Sequence, residues 1–226
     1  MWLAERLEAE VIAEYPQLGT ALSPQGRYVQ LIGHPCSGKT TAIEALTITG
    51  KWARAYNDAF SRVQRFSKYH TSLLVDRDPH NYLAFQIEGL LVRHLQTIGL
   101  SERDICDQSH FSILAYSRLL LERGQLSNAH YQSFFANFLY FNKLSPLPRV
   151  MVRFRCDGPI ARERLVARGR EHEQNVYTTD FLEHLDQSYS HALRYLPDGV
   201  PRKLIDTTGL STEKAAASLL EALNET

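Results

Sequence analysis

The segment GHPCSGKT at residues 33–40 constrains this chain more than any other feature. It matches the pattern G-x-x-x-x-G-K-[ST] at every fixed position, between an apolar strand predicted over 27–32 and a helix predicted over 40–48. Its two glycines let the backbone curl with the N–H groups turned inward, and the following helix points its positive end at the same place. The segment is therefore predicted to bind the phosphates of a nucleoside triphosphate.

Several residues within this loop have predicted roles of their own. Lys39 would bridge the β- and γ-phosphates of ATP, and Thr40 would supply a hydroxyl ligand to Mg²⁺. Cys36 stands near a helix N-terminus, where a thiol can be unusually acidic, but we favour a tolerated small residue over a redox role. The residues predicted to contact ATP are Gly33, His34, Pro35, Cys36, Ser37, Gly38, Lys39, Thr40 and Thr41.

Strands and helices alternate along the chain, which favours an α/β fold with a parallel sheet covered on both faces. The predicted strands cover 27–32, 51–56, 103–107, 149–157 and 202–209. The predicted helices cover 2–15, 40–48, 79–98, 109–123, 128–143, 158–169, 179–194 and 211–223. We therefore predict a single domain over 1–226, a three-layer sandwich around a central parallel sheet, in which 1–26 form an N-terminal helix and connection.

The composition narrows the function classes. Lys plus Arg and Asp plus Glu both number 25, so the formal net charge is zero, which argues against a general nucleic-acid binder. The three cysteines show neither a CxxC pair nor metal-ligand spacing, so we expect free thiols in a reducing cytoplasm. No apolar run approaches the ~20 residues that span a bilayer, and the N-terminus lacks a secretory apolar core. We expect a soluble cytoplasmic protein without a membrane partner.

A second acid lies at the end of a predicted strand. The segment DICDQS at 104–109 places Asp107 at the carboxyl edge of the sheet, where ligands bind in parallel α/β folds. An acid at this position can hold Mg²⁺ directly or through water, and we predict a metal-linked or catalytic role for it. The alternative is that Asp107 or Ser109 caps the next helix, and the two roles can coexist.

Arginines cluster in the segment ARERLVARGREHE at 161–173. They are Arg162, Arg164, Arg168 and Arg170. Arg164 and Arg168 are four residues apart and share a helix face. Such a helix can close over phosphates and neutralise charge in the transition state, so we predict a lid over 158–175. The alternative is a solvated charged helix, because glutamates interleave with the arginines.

These segments together resemble the deoxynucleoside kinase family over about residues 27–210. The helix DPHNYLAFQ at 78–86 is similar to the family's DP…FQ helix, and DQSHFS at 107–112 is similar to its (D/E)RS-x-x-S motif. The lid positions that match the family pattern are Glu163, Arg164, Leu165, Arg168, Gly169, Arg170 and Glu173.

The resemblance implies a P-loop kinase fold with an Arg-rich lid. It also implies ATP and Mg²⁺ as cofactors and transfer of the γ-phosphoryl group to a nucleoside hydroxyl. In that reaction Gln86 would hydrogen-bond the nucleobase and Glu173 a sugar hydroxyl. Lys39 and the lid arginines Arg164, Arg168 and Arg170 would stabilise the charge that spreads during transfer.

The acceptor half departs from the family pattern. Gln108 stands where the family has an arginine that helps to bind the reacting region of the substrate. The Glu-Pro pair after the second strand is absent, and Asp58 is the candidate base in its place. A sugar-contacting tyrosine is replaced by Asp76. The donor half of the site is therefore better matched than the acceptor half.

Two other functions stay open at this stage. The acceptor could be a modified base in DNA, a nucleotide or another small metabolite, although the neutral composition does not favour DNA. The chain could also be a nucleotide-binding regulatory module with little transfer activity. The resemblance further implies that two copies could pair through the aromatic helices at 109–141.

Overall fold

The computed structural model describes residues 3–18, 26, 28–55, 79–169 and 171–225. Within these residues the chain forms a five-stranded parallel sheet in the order β2-β3-β1-β4-β5. The strands are β1 Val29–Ile32, β2 Ala53–Ala55, β3 Asp104–Asp107, β4 Val150–Arg155 and β5 Arg202–Asp206. The predicted strand count and direction are confirmed.

Helices connect the strands and cover both faces of the sheet. They are α1 Leu3–Glu14, α2 Lys39–Thr47, α3 Pro79–Ile98, α4 His110–Glu122, α5 Asn128–Leu144, α6 Gly158–Ala167, α7 Glu171–Gln174, α8 Thr179–Ala192 and α9 Thr212–Asn224. Short 3₁₀ turns occupy Pro16–Leu18 and Leu193–Tyr195. No helix among the described residues is long and apolar enough to cross a membrane.

Two apolar layers hold this sandwich together. On one face, α2 and α9 pack against strand residues such as Leu31 and Val152. On the other face, α4 and α5 bury an aromatic cluster that includes Phe111, Phe134 and Phe138. Helices α1, α3 and α8 pack around this second cluster. The predicted three-layer α/β fold is confirmed.

Differences from the predicted elements lie at their ends. The strand predicted over 202–209 ends at Asp206, and Thr207 N then donates to Arg155 O while Gly209 turns the chain at φ +72°. The helix predicted over 158–169 ends at Ala167, because Gly169 adopts φ +74° and stops it. Both breaks lie next to the carboxyl edge of the sheet, where the phosphate loop also lies.

Candidate active site

The phosphate loop joins the carboxyl end of β1 to α2. Gly33 has φ +146°, and a Cβ built on it would lie 2.2 Å from the carbonyl oxygen of Phe154, so no side chain fits. Gly38 has φ +86° directly before the first residue of α2. The predicted glycine roles therefore have a steric basis at both ends of the loop.

Lys39 lies inside the loop and is 5% exposed. Its ammonium donates to the carbonyl oxygens of Gly33 at 2.7 Å and His34 at 2.9 Å, and to Ser37 Oγ at 3.1 Å. Burial lowers the pKa of Lys39, and the nearby carboxylate of Asp107 opposes this shift. The loop thus folds around a positive charge, which is the arrangement that an anionic ligand requires.

Asp107 ends β3 beside the loop and is 4% exposed. Thr40 Oγ1 donates to Asp107 Oδ2 at 3.3 Å, while Asp107 Oδ1 is buried with no hydrogen-bond partner among the described residues. Ser109 caps α4 by accepting from Phe111 N at 3.2 Å, so Asp107 is not the cap. A hydroxyl and a carboxylate with an open oxygen fit Mg²⁺, which takes few protein ligands beside substrate phosphates.

The loop is tied to the ends of β4 and β5. His34 is fully buried, and its ring nitrogens lie 2.7 Å from Pro35 O and 2.8 Å from Cys156 O. Thr207 Oγ1 donates to Ser37 O at 3.0 Å. These contacts fix the loop from the side opposite β3.

Cys36 also occupies the loop, with φ +63°. Burial raises the pKa of its thiol, and Arg168 partly offsets this shift. An acidic thiol would need the opposite balance. The direction of the pKa therefore favours the interpretation of Cys36 as a small loop residue. Thr41, the last predicted ATP contact, lies exposed on the first turn of α2.

The described lid arginines differ in their contacts. Arg164 donates to Thr207 O at 2.8 Å and reaches Cys36 O at 3.5 Å, so it links the loop after β5 to the phosphate loop. Arg168 is 41% exposed at the end of α6, and its guanidinium lies 3.8 Å from Glu173. Arg164 and Arg168 therefore border the phosphate loop, while a closing motion of this region stays a prediction.

The predicted acceptor side lies on α3 and at the end of β3. Gln86 is 5% exposed, and its side chain contacts the hydroxyl of partly buried Tyr82. Gln108 adopts φ +70°, and its side-chain oxygen accepts from Tyr189 Oη at 3.4 Å. Its carbonyl accepts from Gln30 Nε2 at 2.7 Å. Gln86 and Gln108 thus present amide groups on the α3 side of the sheet.

Sequence reasoning missed two cations near Asp107. Arg54 on β2 places Nη2 4.0 Å from Asp107 Oδ2 and Nη1 3.5 Å from Glu44. Arg93 is 7% exposed on α3, two turns after Gln86 and therefore on the same helix face. The helical spacing of Gln86 and Arg93 could have revealed Arg93. The position of Arg54 beside Asp107 depends on the pairing of β2 with β3, which the sequence does not show.

Three predicted residues cannot be placed. Asp58, Asp76 and Arg170 lie outside the described residues. The role of Asp58 as the base, the replacement of a sugar-contacting tyrosine by Asp76 and the place of Arg170 in the lid stay predictions from the sequence.

Comparisons with known proteins agree with the observed fold. The family model for deoxynucleoside kinases matches residues 31–226. No curated protein matches the chain. A structure of deoxyadenosine kinase from M. mycoides with the products dCMP and a flexible dCDP shares 15% identity, with a TM-score of 0.70 over 88% of this chain and 98% of that one. The same enzyme with bound dATP shares 19% identity, with a TM-score of 0.68 over 87% of this chain and 99% of that one.

These structural likenesses concern the fold, and the family model concerns the sequence along most of the chain. The model spans the phosphate loop, Asp107, Gln86 and the arginines of α6. The protein therefore belongs to the deoxynucleoside kinase family, and it is a kinase.

Proposed function

We propose that this kinase transfers the γ-phosphoryl group of ATP to a hydroxyl of a deoxynucleoside or a closely similar acceptor. The observation that carries the proposal is the buried Asp107 carboxylate, which stands beside Thr40 at the mouth of the phosphate loop with one open oxygen. Such a pair serves phosphoryl transfer, in which positioning and charge stabilisation supply most of the catalysis.

On the donor side, the loop N–H groups and Lys39 bind the phosphates. The Lys39 ammonium exchanges its carbonyl contacts for phosphate oxygens, which are stronger partners because they are charged. Thr40 and Asp107 would hold Mg²⁺, which would neutralise part of the negative charge of the phosphates. Arg168 lies at the edge of the loop, where its exposed guanidinium can neutralise charge on the phosphoryl group.

On the acceptor side, Gln86 offers one donor and one acceptor to the edge of a nucleobase. Gln86 is buried beside the Tyr82 hydroxyl, so its amide is held in place for such a contact. The M. mycoides enzyme is a deoxyadenosine kinase with structures that hold dCMP, dCTP or dATP, and this supports a deoxynucleoside acceptor here. Glu173 and Asp58 keep their predicted roles at the sugar hydroxyl and as the base.

Phosphoryl transfer to a panel of nucleosides tests this proposal. The purified protein with ATP and Mg²⁺ should phosphorylate at least one deoxynucleoside, as measured by formation of the nucleoside monophosphate. Lys39→Met is the control, because it keeps a long unbranched side chain but removes the phosphate-binding charge. Tight ATP binding without monophosphate from any nucleoside would contradict the proposal and favour a regulatory module.

The partner surface that we propose lies on α3 and α5, and its occupant is a second copy of the chain. Aromatic residues of α4 and α5 such as Phe134 are fully buried, so most of the predicted aromatic surface serves the core. Large apolar residues are exposed instead along adjacent edges of α3 and α5: Leu91, Leu95, Ile98, Tyr140 and Leu144. Two neighbouring apolar stripes suit a four-helix contact about a two-fold axis.

The three cysteines carry free thiols. This supports the expected reducing, cytoplasmic compartment.

A further inference from the structure

A buried carboxylate on the N-terminal helix accepts hydrogen bonds from several other elements. Glu8 on α1 is 1% exposed. It accepts hydrogen bonds from Arg118 Nη1 at 3.4 Å to each oxygen, from His191 Nε2 at 2.7 Å and from Tyr195 Oη at 2.8 Å. Tyr131 Oη donates to it as well. These five residues are called the Glu8 cluster.

The Glu8 cluster joins α1 to three other helices and to the 3₁₀ turn that follows the last of them. Arg118 lies on α4, Tyr131 on α5 and His191 on α8, and Tyr195 lies in the 3₁₀ turn after α8. Every donor is directed at one carboxylate, which has about four acceptor positions. Because a buried charge is costly unless it is paired and hydrogen-bonded, the cluster holds these segments in one arrangement.

Two of the helices that the Glu8 cluster joins, α4 and α8, meet at the acceptor side. Gln108 stands two residues before the start of α4, with Ser109 as the cap between, and Tyr189 of α8 donates to its side chain at 3.4 Å. Arg118 stands about 13 Å further along α4 from Ser109. The left-handed φ of +70° at Gln108 is uncommon for a residue other than glycine, so its surroundings must hold it.

We propose that Glu8 is a positioning residue for the acceptor side, because it fixes α4 relative to α8 and so sets the geometry of Gln108. The inference rests on the proposed function and on the acceptor-side role that the sequence predicts for Gln108. Helix α1 precedes the residues 31–226 that the family model matches. Glu8 therefore lies outside the matched segment, whereas its four donors lie within it.

A matched pair of variants separates positioning from general stability. Glu8→Gln keeps the shape of the side chain but turns an NH₂ group toward donors, and Leu219→Ala opens the fully buried core between α9 and the sheet. We expect both variants to lower the Tm by roughly 10 °C. At 25 °C only Glu8→Gln should raise the KM for the acceptor, about tenfold, while the KM for ATP stays within about twofold.

Hydrogen exchange gives a readout that does not depend on activity. Amides of residues 108–112 should exchange faster in Glu8→Gln and at the wild-type rate in Leu219→Ala. If Glu8→Gln does not fold, Tyr195→Phe removes one hydrogen bond to Glu8 and keeps the ring packing against Phe135. Tyr195→Phe should also speed amide exchange at residues 108–112 and raise the KM for the acceptor.

The inference is overturned if the folded Glu8 or Tyr195 variant leaves both readouts unchanged, or if Leu219→Ala changes them equally. A wild-type protein that phosphorylates no acceptor would instead contradict the proposed function. In that case the exchange rates still decide whether the Glu8 cluster holds the backbone around Gln108.

Discussion

At the scale of single residues, the contacts around Asp107 distinguish two roles that the sequence left open. The helix cap belongs to Ser109, and the Asp107 carboxylate faces Thr40. A capping acid would have its oxygens satisfied by backbone N–H groups, whereas Asp107 Oδ1 lacks a partner among the described residues. The metal-linked role is therefore the one that variants should test.

Asp107→Asn should lower kcat about 100-fold and raise the Mg²⁺ concentration that gives half-maximal rate. The reason is that an amide oxygen carries no charge to hold the cation. Initial rates across a Mg²⁺ titration measure both effects. Ser109→Ala is the matched control: it should lose about 1 kcal/mol of stability as a lost cap and keep the wild-type Mg²⁺ response. A wild-type Mg²⁺ response in Asp107→Asn would contradict the assignment.

At the scale of elements, α4 and α5 are joined by a polar contact inside their aromatic interface. His110 Nε2 lies 2.9 Å from Asn142 Oδ1, and the His110 ring packs against Phe111 and Phe138. Burial lowers the pKa of His110 from 6.5 to about 4. The imidazole is therefore neutral in the folded protein at neutral pH and donates its proton to the amide oxygen.

This pKa predicts a pH dependence of folding. Below about pH 6.5 the unfolded chain protonates His110 while the folded chain does not, so stability falls as the pH drops toward 4. Between pH 7 and pH 5 the loss from this residue is about 2 kcal/mol. Urea unfolding at both pH values measures it.

His110→Gln can still donate to Asn142 and should remove that part of the pH dependence. His184→Gln alters a half-exposed histidine of α8 and should keep the wild-type difference within about 0.5 kcal/mol. An unchanged pH dependence in His110→Gln would show that another group causes the loss.

At the scale of the whole molecule, assembly depends on the apolar stripes of α3 and α5. If two copies pair there, the wild type should have twice the 25.8 kDa chain mass in sedimentation. Leu95→Glu places a charge in the stripe, where Leu95 is 59% exposed, and should give a monomer. Val166→Glu changes an apolar residue on α6 that is 50% exposed, and it should leave the mass unchanged. A monomeric wild type would contradict the proposed pairing of two copies through α3 and α5.

The limits of sequence reasoning follow from the range of the interactions involved. The phosphate loop was predicted residue by residue, because glycines, a lysine and a helix start act on their chain neighbours. Arg54 was missed, because it approaches Asp107 only through the pairing of β2 with β3, which are separated by 48 residues between Ala55 and Asp104. The same reason hid the Glu8 cluster, whose members span Glu8 to Tyr195.

By itself, the sequence determined the nucleotide-binding loop, the parallel α/β fold and the family, because each depends on local motifs and on hydrophobic periodicity. Only the tertiary structure decided that Ser109 caps α4, that the aromatic rings of α4 and α5 are largely internal, and that α1 is fastened by a buried charge. These depend on which side chains the sheet order and the helix packing bring together. Periodicity predicts that a face is buried, but it does not identify the partner that buries it.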